Sequence, residues 1–185
     1  MQKKWIKGIT VLCLPLLFSA CASHGLHHGS GGATPMEMSG GEDGPAYISI
    51  EKTVVKMAIA KDISLDEAVE SMKLRANELN IKLVAELPLS KQIKAMGESS
   101  RRMAIYQFCD ALTAKKMVEY DINFAAYLPC RISLVEDSHG RGWLLMMDLD
   151  LLINDPNLDE SLRKTAAGVR DSLIEIMTAG ANGEL

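Results

Sequence analysis

Two cysteines, Cys109 and Cys130, are the residues of this chain best suited to chemistry. Cys109 ends a predicted strand just before a predicted helix, and a helix N-terminus lowers the pKa of a thiol and favours the reactive thiolate. Cys130 follows Pro129 and opens another predicted strand. In an oxidising compartment a disulfide between the two would close a loop of about 20 residues and contribute about 3 kcal/mol. Three interpretations stay open: a structural disulfide, two unpaired buried thiols, or a redox or metal-binding pair.

A second group of candidate ligands lies in a short glycine-rich segment nearer the N-terminus. Imidazole nitrogens and thioether sulfurs suit copper, and imidazole also suits zinc. The segment is either a loose metal-binding arm or a polar linker in which these residues cluster by chance, and the linker is favoured. The candidates are His24, His27, His28, Met36 and Met38. We expect no resident cofactor, with copper or zinc as the alternative.

The common signatures of catalysis are missing from the sequence. It contains no nucleophile-elbow motif, no dinucleotide-binding glycine pattern and no phosphate-binding loop. His139 sits in a predicted hairpin turn beside Asp137, and neighbouring turn residues do not converge as a catalytic triad must. Asp148 and Asp150 lie near further acids, but their spacing does not match a calcium loop, and acids also suit a helix start. We therefore predict no catalytic residues and favour a protein that is not an enzyme.

The N-terminus has the layout of a secretory signal. Three lysines within residues 3–7 precede an apolar run at residues 9–18, which is well short of the roughly 20 residues that span a membrane. Residues 17–21, Leu-Phe-Ser-Ala-Cys, resemble a bacterial lipobox, in which Cys21 becomes a lipid-bearing N-terminus. Ala22 is not the aspartate that tends to retain such lipoproteins in the inner membrane. We expect a lipid anchor in the outer membrane, facing the periplasm.

The chain then divides into a signal peptide at residues 1–20, a flexible tether at residues 21–45 and one folded domain at residues 46–185. Removing the signal leaves 17 basic and 24 acidic residues, a net charge of about −7. Nucleic-acid binding needs basic residues to neutralise phosphates, and the chain has only nine aromatic residues for stacking on bases. Nucleic acid is therefore excluded as a partner.

Hydrophobic periodicity predicts the elements of the domain. Ser64 and Glu67 have the spacing of a capping box, Asp110 is placed to cap a short helix, and Gly180 is predicted to end the last helix. Because helices and strands do not alternate strictly, the predicted class is α+β with a largely antiparallel sheet. The predicted order is strand-helix-strand-strand-helix-strand-strand-helix, with strands at 47–57, 81–87, 102–109, 130–136 and 143–148 and helices at 65–79, 110–120 and 158–180.

Four segments of the domain resemble a bacterial family called domain of unknown function 302. They are residues 105–110 (IYQFCD), 114–117 (AKKM), 128–132 (LPCRI) and 135–137 (VED), and the resemblance extends over roughly residues 47–185. It implies an α+β fold similar to the TATA-box-binding-protein-like class, with a curved antiparallel sheet and packed helices. The resemblance implies no established activity, and likeness of fold to a DNA-binding class does not imply DNA binding.

The leading interpretation is a non-catalytic envelope lipoprotein that binds a small ligand or a partner protein on its curved sheet. The alternative is a thiol-redox or copper-handling protein that uses Cys109 and Cys130, with the histidines and methionines of the tether as accessories. A third is a structural interaction module that forms a homodimer.

Overall fold

The computed structural model describes residues 50–184. The predicted order of strands and principal helices is confirmed, with two short α-helices and two 3-10 helices added between them. The α+β class is confirmed as well. In chain order the elements are a 3-10 helix (Ile50–Lys52), β1 (Val54–Ala58), α1 (Leu65–Glu78), β2 (Lys82–Leu87), α2 (Leu89–Ala95), β3 (Met103–Cys109), α3 (Ala111–Tyr120), a 3-10 helix (Ile122–Tyr127), β4 (Cys130–Glu136), β5 (Gly142–Met147), α4 (Asp150–Ile153) and α5 (Glu160–Asn182).

The capping box at the start of α1 is confirmed. The Ser64 hydroxyl accepts a hydrogen bond from the Glu67 backbone N–H at 3.1 Å, and the Ser64 N–H donates to the Glu67 carboxylate at 2.8 Å. Without these two side chains the backbone N–H groups of Ser64 and Glu67 would lack a partner at the helix start. Such a cap stabilises a helix by about 1 kcal/mol.

The five strands form one sheet in the order β1-β5-β4-β3-β2, and every neighbouring pair is antiparallel. Alternate residues of β3 are buried, as the period of two in a strand requires for a sheet with one covered face. Helices α1 and α5 cover that face. The main core between them includes Met72, Tyr106, Phe108, Ile132, Leu134, Leu144, Ile176 and Met177.

A second, smaller core lies beside the first, where α3, α4 and α5 meet. Its buried members are Met117, Ile153, Leu162 and Ala166, and Phe124 packs against them. Leu149 packs against both cores. The domain thus has two apolar cores that touch at one end of the sheet.

The other face of the sheet is not covered by α1 and α5. The strand register places Met103, Val135, Trp143 and Ala58 side by side across four strands of this face. Lys56, two residues before Ala58, has its ammonium 3.8 Å from the centre of the Trp143 ring. An apolar row therefore crosses the open face, with a cation at its β1 edge.

Two sequence predictions about element boundaries are wrong. A strand from residue 47 was expected, but a 3-10 helix occupies Ile50–Lys52 and β1 begins at Val54, opposite Met147, the last residue of β5. The Asp148 N–H donates to the Thr53 carbonyl at 2.9 Å, just outside the first register pair of β1 and β5.

The second concerns the end of α5. Gly180 lies inside the helix, and the helix ends at Gly183, which has φ +68° and a left-handed conformation. Gly180 is required for packing instead, since a Cβ built on it would lie 2.5 Å from Met72 Cγ and 3.0 Å from the Ala68 carbonyl oxygen.

Candidate functional site

The candidate site lies at the end of the sheet where β3 finishes at Cys109 and β4 starts at Cys130. Because the sheet is antiparallel throughout, β1 starts and β5 finishes at this same end. The segments that follow β3 and β5 at this end contain α3, the 3-10 helix at Ile122–Tyr127 and α4. We call this region the cysteine end.

The structure brings the two sequence-predicted cysteines together at one pocket. Cys130 is the register partner of Phe108, so Cys109 lies one residue along the adjacent strand. Cys130 packs against the main core, while Cys109 adjoins Asp110 at the start of α3. Both carry free thiols and both are half-buried.

The pocket is the gap between the two cores. Its free volume is about 60 Å³, and its walls are almost wholly apolar. Small side chains, Ala114 on α3 and Ala166 on α5, leave the space that larger residues would fill. The remaining lining residues are Ile81, Phe108, Cys109, Asp110, Thr113, Met117, Phe124, Tyr127, Leu128, Cys130, Leu149, Leu152, Val169 and Leu173.

The one charged side chain of the lining, Asp110, is engaged by the start of α3 and by the Thr113 hydroxyl. One Asp110 carboxylate oxygen accepts from the Leu112 N–H at 3.0 Å, and the other accepts from the Thr113 hydroxyl at 2.6 Å. These contacts confirm Asp110 as the cap of α3. They also lower the pKa of the Asp110 carboxyl, with the Thr113 hydroxyl as the main cause. The carboxylate therefore serves the helix start.

The thiols differ from the sequence-based expectation in their acidity. Burial raises the pKa of the Cys109 thiol, and the neighbouring Asp110 carboxylate raises it further. Burial also raises the pKa of Cys130, with a smaller contribution from Cys109. The expectation of a lowered pKa for Cys109 at the helix start is wrong in direction, because the thiol is partly buried and because the Asp110 carboxylate lies at that helix start. Both thiols stay protonated near neutral pH and act as apolar lining.

Alkylation with iodoacetamide is expected to modify Cys109 and Cys130 several-fold more slowly in the native protein than in denaturant, near neutral pH. The reason is the raised pKa of each thiol together with its partial burial. Because the fold favours the protonated thiols, stability is expected to fall as the pH rises above their ordinary pKa of 9.0. Peptide-level mass spectrometry with time reads the two rates separately. Native rates equal to the denatured ones would contradict the prediction, and a thiol blocked only after reduction would indicate a disulfide.

The acids near α4 have separate structural tasks, in keeping with the structural interpretation of that segment. One Asp148 oxygen accepts from the Asp150 N–H at 3.0 Å, Asp150 forms an ion pair with Arg170, and Asp159 caps α5 through the Ser161 N–H at 2.8 Å. Within residues 50–184, no group of three or more histidine, cysteine or acidic side chains is placed to hold a metal ion.

The predicted lipidation site and the metal-binding candidates of the tether lie outside the described residues. They are Cys21, His24, His27, His28, Met36 and Met38. Across the part of the chain that the structure describes, no helix is both long and apolar enough to cross a bilayer.

Sequence reasoning missed a cluster around Trp143 in the β4–β5 hairpin. Asp137 accepts from the Trp143 indole N–H at 2.8 Å and from the backbone N–H groups of His139 and Arg141. These bonds, the indole bond first, lower the pKa of Asp137 to about 2. Lys56 and Arg141 lie over the indole ring, 3.8 and 4.6 Å from its centre. His139 contributes backbone and an exposed ring to the turn, so the cluster fixes the hairpin.

The pocket lining was also missed as a site, because its residues come from distant segments. Ala114 and Ala166 were assigned only to helices, and no local pattern indicates that they face one another across a gap. The apolar stripe of α5 was the one usable signal, since it predicts that Ala166, Val169 and Leu173 face inwards.

Comparison with known proteins identifies the family and the fold. The family model described as "Domain of unknown function DUF302" matches residues 55–180. A crystal structure of an uncharacterized conserved DUF302 protein from Bacillus stearothermophilus superimposes with a TM-score of 0.59 at 16% sequence identity, covering 69% of this chain and 97% of that chain. At this identity the likeness concerns the fold alone. No curated protein sequence matches the chain.

Proposed function

Since this chain belongs to the DUF302 family, whose description assigns no activity, we propose a function from the pocket at its cysteine end. The protein is a non-catalytic, membrane-anchored domain that binds the end of a linear alkyl chain between its two cores. The observation that carries this proposal is a pocket with almost wholly apolar walls whose one charged side chain, Asp110, is already engaged by the start of α3.

The chemistry of the walls selects an uncharged apolar ligand. The two thiols remain protonated, and the Asp110 carboxylate is occupied by the start of α3. A charged group placed in the pocket would lose its hydration without gaining a partner, which costs several kcal/mol. Each methylene that the pocket buries contributes about 0.8 kcal/mol, so affinity is expected to rise with the number of methylenes that enter it.

The volume favours a chain over a ring. An apolar cavity of about 150 Å³ holds benzene, and this pocket, at about 60 Å³, is smaller. A narrow alkyl end requires less displacement of Met117 and Phe124 than an aromatic ring does. Fatty acids and the acyl chains of phospholipids supply such ends.

The membrane anchor rests on the leader sequence. Cys21 within the lipobox-like segment is the proposed acylation site, and the outer membrane facing the periplasm is the proposed location. Two or three acyl chains at about 0.8 kcal/mol per buried methylene anchor a protein stably.

The thiol-redox and copper alternative has weaker support. Both thiols line one pocket, which suits a redox pair, but the raised pKa of each opposes thiolate chemistry. We therefore place it second.

Filling the pocket is expected to weaken ligand binding without unfolding the protein. In Ala114→Leu the larger aliphatic side chain occupies the gap, so affinity for a series of medium-chain fatty acids is expected to fall at least about tenfold, the equivalent of two buried methylenes. Ala111→Leu is the matched control, because Ala111 lies in the same helix, is exposed and does not line the pocket. Affinities are measured by calorimetry, and thermal unfolding confirms the fold. Equal affinities of the two variants would overturn the proposed function.

A further inference from the structure

Large apolar side chains are exposed mainly at the cysteine end. Six of the ten exposed large apolar residues within the described part of the chain lie there. The exposed fractions are high for several of them, and exposed apolar side chains that gather in one region mark an interaction surface. The six are Ile50 (78%), Leu112 (73%), Tyr120 (56%), Ile122 (76%), Tyr127 (37%) and Leu151 (43%). We call these six residues the apolar rim.

The rim residues belong to elements that adjoin one another. A groove between the end of α3, the following 3-10 helix and α4 is lined by Tyr120, Tyr127 and Leu151. Ile50 stands at the start of the described chain, and the backbone bond from Asp148 to the Thr53 carbonyl ties that start to the segment leading into α4. The apolar rim therefore lies at one end of the domain, and four separate segments of the chain contribute residues to it.

The position of Ile50 bears on what the rim faces. Residues 22–49, a stretch of 28, separate Ile50 from Cys21, the proposed lipid-bearing residue. If the proposed tether is a glycine-rich coil, its r.m.s. span is about 30 Å, so the end of the domain at which the chain enters stays within reach of the proposed anchoring membrane. The apolar rim lies at that end.

The side chains around the rim also match a phospholipid surface. Leu112 shares the exposed side of α3 with Lys116, whose long stem can lie along apolar surface while its ammonium group reaches lipid phosphates. Tyr120 and Tyr127 are of the type that is enriched at membrane interfaces. Among the nearby acids, Asp110 and Asp121 accept from backbone N–H groups and keep their charge, and Glu119 pairs with Lys115 at 3.0 Å.

We propose that the apolar rim docks on the phospholipid bilayer, with Leu112 and Ile122 entering the boundary between headgroups and acyl chains. The proposal rests on the proposed function for the anchor and for the ligand, because docking places the pocket next to the acyl chains from which its ligand comes. The lipid source is thus the bilayer itself.

The test uses the full lipidated chain on vesicles of phosphatidylethanolamine and phosphatidylglycerol with brominated acyl chains, which quench nearby tryptophans. Ile122→Trp reports the rim, and Met96→Trp on α2 is the matched control, since both native side chains are about three-quarters exposed (76% and 74%). We expect Trp emission from Ile122→Trp to fall by about half and to shift to shorter wavelength, as insertion to 5–10 Å implies, while Met96→Trp stays unchanged. Both variants also contain Trp143, so its emission contributes equally to the two measurements.

Equal quenching of the two variants, or quenching of neither, would overturn docking. Emission from Ile122→Trp that is already shifted without vesicles and depends on protein concentration would indicate that two copies cover the rim, which also overturns it. Adding Ala114→Leu to Ile122→Trp separates the two proposals: if quenching persists while fatty-acid binding is lost, docking does not depend on a filled pocket. Fatty-acid binding without quenching in Ile122→Trp would support the pocket as a ligand site and overturn docking on the bilayer.

Discussion

Replacing Gly180 by alanine is expected to destabilise the fold by about 1–3 kcal/mol, although alanine is the better helix former by about 1 kcal/mol. The added Cβ would lie 2.5 Å from Met72 Cγ and 3.0 Å from the Ala68 carbonyl oxygen, and Met72 is fully buried between α1 and the sheet. The side chain can yield only by disturbing the main core, and the backbone carbonyl of α1 cannot yield without moving the helix. Chemical denaturation measures the change in the free energy of unfolding.

Gly168 in the same helix provides the control. It is exposed, and a Cβ built on it meets nothing within 4 Å. Gly168→Ala is therefore expected to stabilise the protein by about 0.5–1 kcal/mol, through helix propensity alone. Opposite signs for the same substitution would establish that α5 approaches α1 through Gly180. If both substitutions increase the free energy of unfolding by similar amounts, α5 and α1 can move apart at Gly180 without an energetic cost.

Truncating Phe108 is expected to have the largest effect of any single pocket residue. Phe108 is 1% exposed, belongs to the main core and also forms a wall of the pocket. Phe108→Ala should cost about 3–5 kcal/mol, because it removes buried apolar surface and leaves a cavity. The new cavity opens into the pocket, so benzene is expected to raise the unfolding temperature of Phe108→Ala but not of the wild type.

Tyr120→Ala is the control for this experiment, since Tyr120 is aromatic, 56% exposed and outside both cores. Its unfolding free energy should change by less than about 0.5 kcal/mol. A loss below 1 kcal/mol in Phe108→Ala, or no response to benzene, would mean that the surrounding residues collapse into the space and that the two cores are not separated as described.

Local signals in the sequence were sufficient for much of the fold. Ser64 and Glu67 predict the start of α1, and Asp110 predicts the start of α3, because each cap is made by residues within three positions of one another. The hairpin between β4 and β5 is likewise a local event. Features that depend on partners far along the chain were not predictable in this way.

Gly180 illustrates that limit. A glycine near the end of a helical pattern is typical of a C-terminal stop, and Gly183 meets that requirement three residues later. The need for glycine at Gly180 comes from Met72, more than 100 residues away. The pocket is similar, since Ala114 and Ala166 become its walls only when α3 and α5 pack against one sheet end.

β2 shows how a break in register alters burial. The alternation of Ile81, Leu83, Ala85 and Leu87 predicted one continuous buried face, but the pairing with β3 shifts between Leu83 and Ala85. Leu83 packs against the main core, whereas Leu87 is 37% exposed. A single irregularity therefore turns the last part of the strand away from the core.

The same irregularity bears on how the protein behaves at high local concentration. β2 is an outer strand of the sheet, and an outer strand with free backbone groups is a template on which strands of other molecules add. A shifted pairing distorts such a template, and the charged Lys82 and Glu86 further oppose the growth of an intermolecular sheet. At high local concentration, this edge therefore offers little on which the strands of a second molecule could add.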